Sequence, residues 1–140
     1  MTELARRSNS PVGTWKLLSF QYEFEDSDER DEPYGSSPVG HLIFTEERLM
    51  TLFAARERAK DAPASELLGS MMAYSGRYRL QGDDCFITTV DGAWQPAFIG
   101  TEQVRFFKID GETLVAASPF RDDPKYPGRR VRGVATWRKD

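Results

Sequence analysis

Few side chains in this 140-residue chain can do chemistry, and their scarcity narrows what that chemistry can be. There is one histidine, His41, and one cysteine, Cys85. A zinc site of three or four nitrogen and sulfur ligands cannot be built from them. No GxSxG elbow, P-loop or GxGxxG turn occurs, so neither a metal nor a nucleotide cofactor is expected. A Cys85–His41 nucleophile pair would need its two strands to meet and a third group to orient the imidazole. What remains is proton transfer or hydrogen bonding by phenols, carboxylates, arginine and a single imidazole. If the protein is an enzyme, Tyr74, His41 and Glu23 are the acid or base candidates.

A second set of residues suits ligand binding. Tyr78, like Tyr74, is either a core aromatic with a satisfied hydroxyl or a phenol donor facing a pocket. Arg105 shares a strand phase with Phe107 and Ile109, which makes it an internal cation. Burial then demands either a carboxylate partner, such as Glu23 or Glu102, or an anionic ligand. His41 reads as structural or rim-exposed, yet it titrates near neutral pH and so stays a possible base. Ser19 and Gln21 are polar groups that a strand could turn inward. Trp94, Phe98 and the run from Met50 to Phe53 supply apolar wall or plain core. The ligand-binding set is therefore Tyr78, Arg105, Gln21, Ser19, Trp94, Phe53, Phe107 and Met50.

These residues need a frame, and the segment 13–24 provides its centre. Gly13 allows a tight turn into a long strand, and Trp15 supplies the largest apolar side chain to plug one end of a closed sheet. Arg138, near the end of the chain, is expected to stack on that indole. In phase with Trp15 lie Leu17, Ser19, Gln21 and Glu23; the other phase, Leu18, Phe20, Tyr22 and Phe24, is more apolar. One phase must be covered by a helix, by a partner subunit or by a bulge that flips the strand.

Further strands follow at 39–45, 49–54, 76–80, 85–90, 100–110, 113–117 and 131–138, with Asp110-Gly111 as the clearest hairpin turn. Between them, 63–74 carries Leu67, Leu68, Met71 and Met72 at helical spacing, which predicts a helix of about three turns. Residues 25–32 hold six acids and one base, net −5 in a chain of net charge −3, and read as a solvated loop to residue 38 or as a lid beside a pocket mouth. An EF-hand reading fails, because Asp31 and Ser37 occupy the positions that need glycine and glutamate. Eight antiparallel strands and one helix fit an all-β up-and-down barrel; a two-sheet sandwich is the alternative. Residues 1–10 are expected to fray, leaving one domain over 11–140.

Several motifs in order are similar to those of a known family. Gly13-Thr14-Trp15-x-Leu17-x-Ser19, Val39-Gly40-x-Leu42-Ile43-Phe44-Thr45, Ala73-Tyr74-x-Gly76-x-Tyr78, Gly100-Thr101-x-Gln103-x-Arg105 and the closing Trp137-x-Lys139 resemble the bacterial and fungal lipocalin-like domain family. The resemblance runs from about Pro11 to Lys139. It implies a lipocalin-type barrel with a small-molecule cavity, in a family often encoded among metabolic genes. This chain departs from it at His41, where relatives often carry an aromatic residue, and at Thr88-Thr89, where they carry one or two histidines.

The functional expectation is binding of a small, largely hydrophobic molecule in the cavity. The alternatives are a cofactor-free isomerase or cyclase of secondary metabolism using the same cavity, and a structural dimer module built on the Leu18, Phe20 and Tyr22 face. The acidic balance argues against nucleic acid as a partner. No apolar run long enough for a membrane span occurs, and a lone cysteine fits a reducing cytoplasm. A homodimer is compatible with this reading.

Overall fold

The computed structural model describes residues 10–140, so the expected frayed segment 1–10 lies outside the described residues except for Ser10. The chain forms β1 (Gly13–Phe24), β2 (Arg30–Asp31), β3 (Val39–Phe44), β4 (Arg48–Ala54), a short helix α1 (Ala64–Gly69), β5 (Met71–Leu80), β6 (Cys85–Ala93), a single 3-10 turn (Pro96–Phe98), β7 (Glu102–Asp110), β8 (Thr113–Ala117), β9 (Arg121–Asp122) and β10 (Arg130–Lys139). Each long strand pairs antiparallel with its neighbour. The tube closes because β1 pairs with β3 on one side and with β10 on the other. Eight strands therefore make a closed barrel, as the strand count and the Asp110-Gly111 hairpin predicted.

Alternation along the strands decides what fills the tube. Leu49, Thr51 and Phe53 of β4 point in, while Met50 and Leu52 between them point out. The inward residues pack into one core, in which Phe44 meets Tyr78 and Phe86 edge-on at 5.0 and 5.1 Å and Leu114 is wholly buried. Trp15 seals this end. Its ring is 1% exposed and its indole N–H donates to the Pro11 carbonyl at 2.8 Å. The cation over that ring is Lys139, with Nζ 4.8 Å from the centroid, and not the expected Arg138, which lies on the outward phase of β10.

Strand β1 changes face halfway. Its register against β10 slips between Leu17 and Ser19, so a bulge at Leu18 adds one residue. Below it Trp15 and Leu17 are inside; above it Phe20, Tyr22 and Phe24 are inside, and Ser19, Gln21 and Glu23 go outside. Of the three ways to cover the second apolar phase, the bulge-induced flip is the one used. It also dissolves the dimer face read from Leu18, Phe20 and Tyr22, since only Leu18 remains exposed.

The helix is shorter than its spacing predicts. Met71 and Met72 pair with Ala54 and Phe53 in the β4–β5 ladder, so tertiary pairing takes the second half of the apolar pattern into a strand. What remains, Ala64–Gly69, buries no side chain.

The connections sort by length. Residues 45–47, 81–84 and 111–112 make tight turns at the Trp15 end, whereas 25–38, 55–70, 94–101 and 118–129 form longer links at the other. The barrel is thus shut below and ringed by loops above, and the site lies beneath that ring.

Candidate functional site

Above the Trp15 plug the barrel is hollow, with a cavity of about 620 Å³. Its floor is Trp137, Phe86 and Leu42. One wall is aromatic: Phe20 and Phe53 stack with centroids 5.0 Å apart, and Tyr34 packs edge-on against both at 5.3 and 5.1 Å. Tyr34 comes from the acidic loop and covers the gap left where the upper half of β1 parts from β3 and pairs with β2 instead. Beside it, on the strand paired with β4, Tyr74 of β5 meets Phe98 of the 3-10 turn at 6.1 Å. The hollow next to these rings depends on small residues, Ala116, Ala135 and Gly133. At Gly133 the Phe20 ring lies so close that an added Cβ would come within 2.7 Å of it.

Polar groups are few. On β7 the inward phase brings Gln103 and Arg105 to the cavity. The Arg105 guanidinium donates to the Val104 carbonyl at 2.7 Å and to the Gln103 amide oxygen at 3.2 Å. Neither carboxylate proposed as its partner reaches it. Glu23 is held outside by Arg132 at 2.6 Å and Arg30 at 3.5 Å, and Glu102, at the cavity edge, is held by Arg79 at 2.7 Å. Among the described residues Arg105 makes no ion pair. Gln95 donates its amide N–H to the Met71 carbonyl at 2.8 Å, and its amide oxygen is buried with no partner. The Tyr34 and Tyr74 hydroxyls, both at the cavity, also lack hydrogen-bond partners among the described residues.

At the mouth, Arg121 bonds Asp123 at 2.8 Å and stands against the Tyr22 hydroxyl, whose pKa burial raises despite that cation. Burial pushes the Tyr34 hydroxyl up to about 12, with Tyr22 adding to the effect and Arg121 opposing it. Two neighbouring rim loops, those that continue β1 and lead into β10, are tied to each other. Arg129 donates to Asp26 at 2.7 Å and to Ser27 at 3.0 Å, and its guanidinium lies 4.0 Å from the Phe24 ring centroid. Tyr126 hydrogen-bonds Asp31. The solvated acidic loop is therefore docked on the 118–129 loop by specific ion pairs.

The expected site residues separate into three groups. Tyr74, Arg105 and Phe53 line the cavity. Tyr78 and Phe107 lie in the packed core below it; the Tyr78 hydroxyl donates to the Thr45 carbonyl at 2.7 Å, and burial, with a smaller contribution from Glu46, pushes its pKa up to about 12. Ser19, Gln21, Glu23, His41, Met50 and Trp94 do not border the cavity. The bulge turns Ser19, Gln21 and Glu23 outward. His41 faces outward on β3, half-exposed, with Nε2 3.4 Å from an Asp140 carboxylate oxygen. Met50 is 59% exposed, and Trp94 reaches outside to donate its indole N–H to the Leu68 carbonyl. Cys85 is buried on β6, and β4 and β5 separate that strand from His41 on β3, so the two form no pair.

Sequence reasoning missed Tyr22, Tyr34, Gln95 and Gln103. Gln103 was legible, two residues from Arg105 in the same phase. Tyr34 is the aromatic in an otherwise charged loop, which is a signal of docking. Gln95 sits in an irregular loop whose path no local pattern fixes. Thr88, where relatives of the resembled family carry histidine, is wholly buried with an unpartnered hydroxyl.

Among the described residues no three His, Cys, Asp or Glu side chains gather to hold a metal ion, and no helix is long and apolar enough to cross a membrane. No curated protein sequence matches the chain. The lipocalin-like domain family does match, over residues 12–140. With that span added to the closed eight-stranded tube and its hollow upper half, the chain belongs to the lipocalin-like domain family, whose barrel fits the binding of a small ligand.

Proposed function

We propose that this protein binds a small, largely apolar molecule inside its barrel. The observation that carries the reading is the cavity itself. Its volume is of the size that encloses a drug-sized ligand, and its walls are mostly aromatic and aliphatic with a few convergent polar groups. The Phe20–Phe53 stack and the Tyr74–Phe98 pair offer adjoining apolar surfaces. The lone buried thiol of Cys85 supports action in a reducing compartment such as the cytoplasm.

The unpartnered phenols favour a second reading, a cofactor-free isomerase or cyclase acting on a small organic or natural-product substrate in the same cavity. Tyr74 and Tyr34 could donate a proton or a hydrogen bond to an oxygen of the substrate. His41 and Glu23 support no role in it, because both lie outside the cavity.

The neutral fluorophore N-phenyl-1-naphthylamine tests the binding reading. Fluorescence enhancement saturating at one probe per chain is expected. Ala116→Phe places a ring in the hollow and is expected to abolish the enhancement while leaving the far-UV circular dichroism unchanged. Undiminished probe binding by a folded Ala116→Phe variant would place the ligand elsewhere.

A further inference from the structure

An apolar ligand leaves one group in this cavity unsatisfied, the Arg105 cation. Three of its N–H groups remain after the bonds to Val104 and Gln103, and both of those acceptors are neutral. Even partly burying a guanidinium without a counter-charge is unfavourable, and a carboxylate in fork geometry is the partner that matches it best. The protein supplies none there: Glu102, the acidic side chain at the cavity edge, is already taken by Arg79.

A cation without an anion describes the missing partner. We propose that the ligand is an aromatic or polycyclic carboxylic acid, with its carboxylate on Arg105 and its rings against the Phe20–Phe53 stack and the adjoining Tyr74–Phe98 pair. This inference rests on the cavity being the binding site. The second cation near the cavity, Arg121, is neutralised by Asp123 at the mouth and does not compete for the carboxylate.

Calorimetric titration with 6-hydroxy-2-naphthoate and with its uncharged analogue, 6-hydroxy-2-naphthamide, tests it. The wild-type protein is expected to bind the acid about tenfold more tightly, the scale of one added charge-assisted hydrogen bond. In Arg105→Met the acid and the amide should bind alike, with the amide affinity unchanged from wild type. If the wild-type protein binds the acid and the amide equally, the carboxylate inference is wrong and the binding cavity stands. If it binds neither these compounds nor the neutral fluorophore, the cavity reading falls as well. The acid–amide comparison uses only wild-type protein, so it decides the matter even if Arg105→Met does not fold.

Discussion

Tyr34 and Tyr78 illustrate how far a single side chain reports its surroundings. Both hydroxyls are pushed up to about 12 by burial, from an ordinary value of 10.0. A raised folded-state pKa means that the native state holds the proton more tightly than the unfolded chain does. The stability this contributes is fully present below pH 10 and is lost as pH climbs from 10 through 12. Absorbance at 295 nm should therefore show these two phenolates forming late, together with loss of the native near-UV circular dichroism. Early ionisation of both near pH 10, with the fold intact, would show that neither is shielded as described. At this scale the sequence was informative where a strand fixed the phase. Arg105 was legible as an internal cation from Phe107 and Ile109 beside it. Gln95 was not, because a free amide oxygen depends on where an irregular loop places it. Glu23 misled, since its phase is correct only for a strand that keeps its face.

The elements explain that error. A two-residue period assigns every side chain of β1 from Trp15 upward, and one extra residue at Leu18 inverts the assignment for the rest of the strand. Nothing local marks the bulge: Leu17 and Leu18 are both good strand residues. The helix is present but shorter than expected for a related reason, because apolar spacing at 67–72 suits a helix and a buried strand end alike until the β4 partner is known. A second irregularity lies on β5, where the register against β6 slips between Ser75 and Gly76. The close approach there requires glycine. A Cβ at Gly76 would come within 2.8 Å of the Thr89 carbonyl carbon and 3.0 Å of the Thr88 methyl group. Gly76→Ala is expected to cost about 1–3 kcal/mol, the usual penalty for overpacking a tight site. A urea unfolding midpoint equal to that of the wild type would show that the strands can separate to make room.

Across the whole molecule, the division between tight turns below and long links above separates stability from function. The lower half, from the Trp15 plug to Phe107, is packed; the upper half is hollow and rimmed by loops, two of which ion pairs hold together. The barrel and its plug were legible because closure and strand count follow from short local patterns. The roof was not, because charged loops carry no periodicity and dock through single contacts such as Arg129 with Asp26. Tyr34 has a consequence for traffic. It borders the barrel cavity and also a second hollow of about 370 Å³ on the outer surface, between residues 33–37 and 55–57. The partition between inside and outside is there only one ring thick. Removing that ring in Tyr34→Ala should join the two spaces into a side window, so that stopped-flow mixing shows a bound fluorophore arriving and leaving faster by comparable factors. A molecule held in this barrel then has a second way out beside the mouth, whose use depends on how often one tyrosine swings aside.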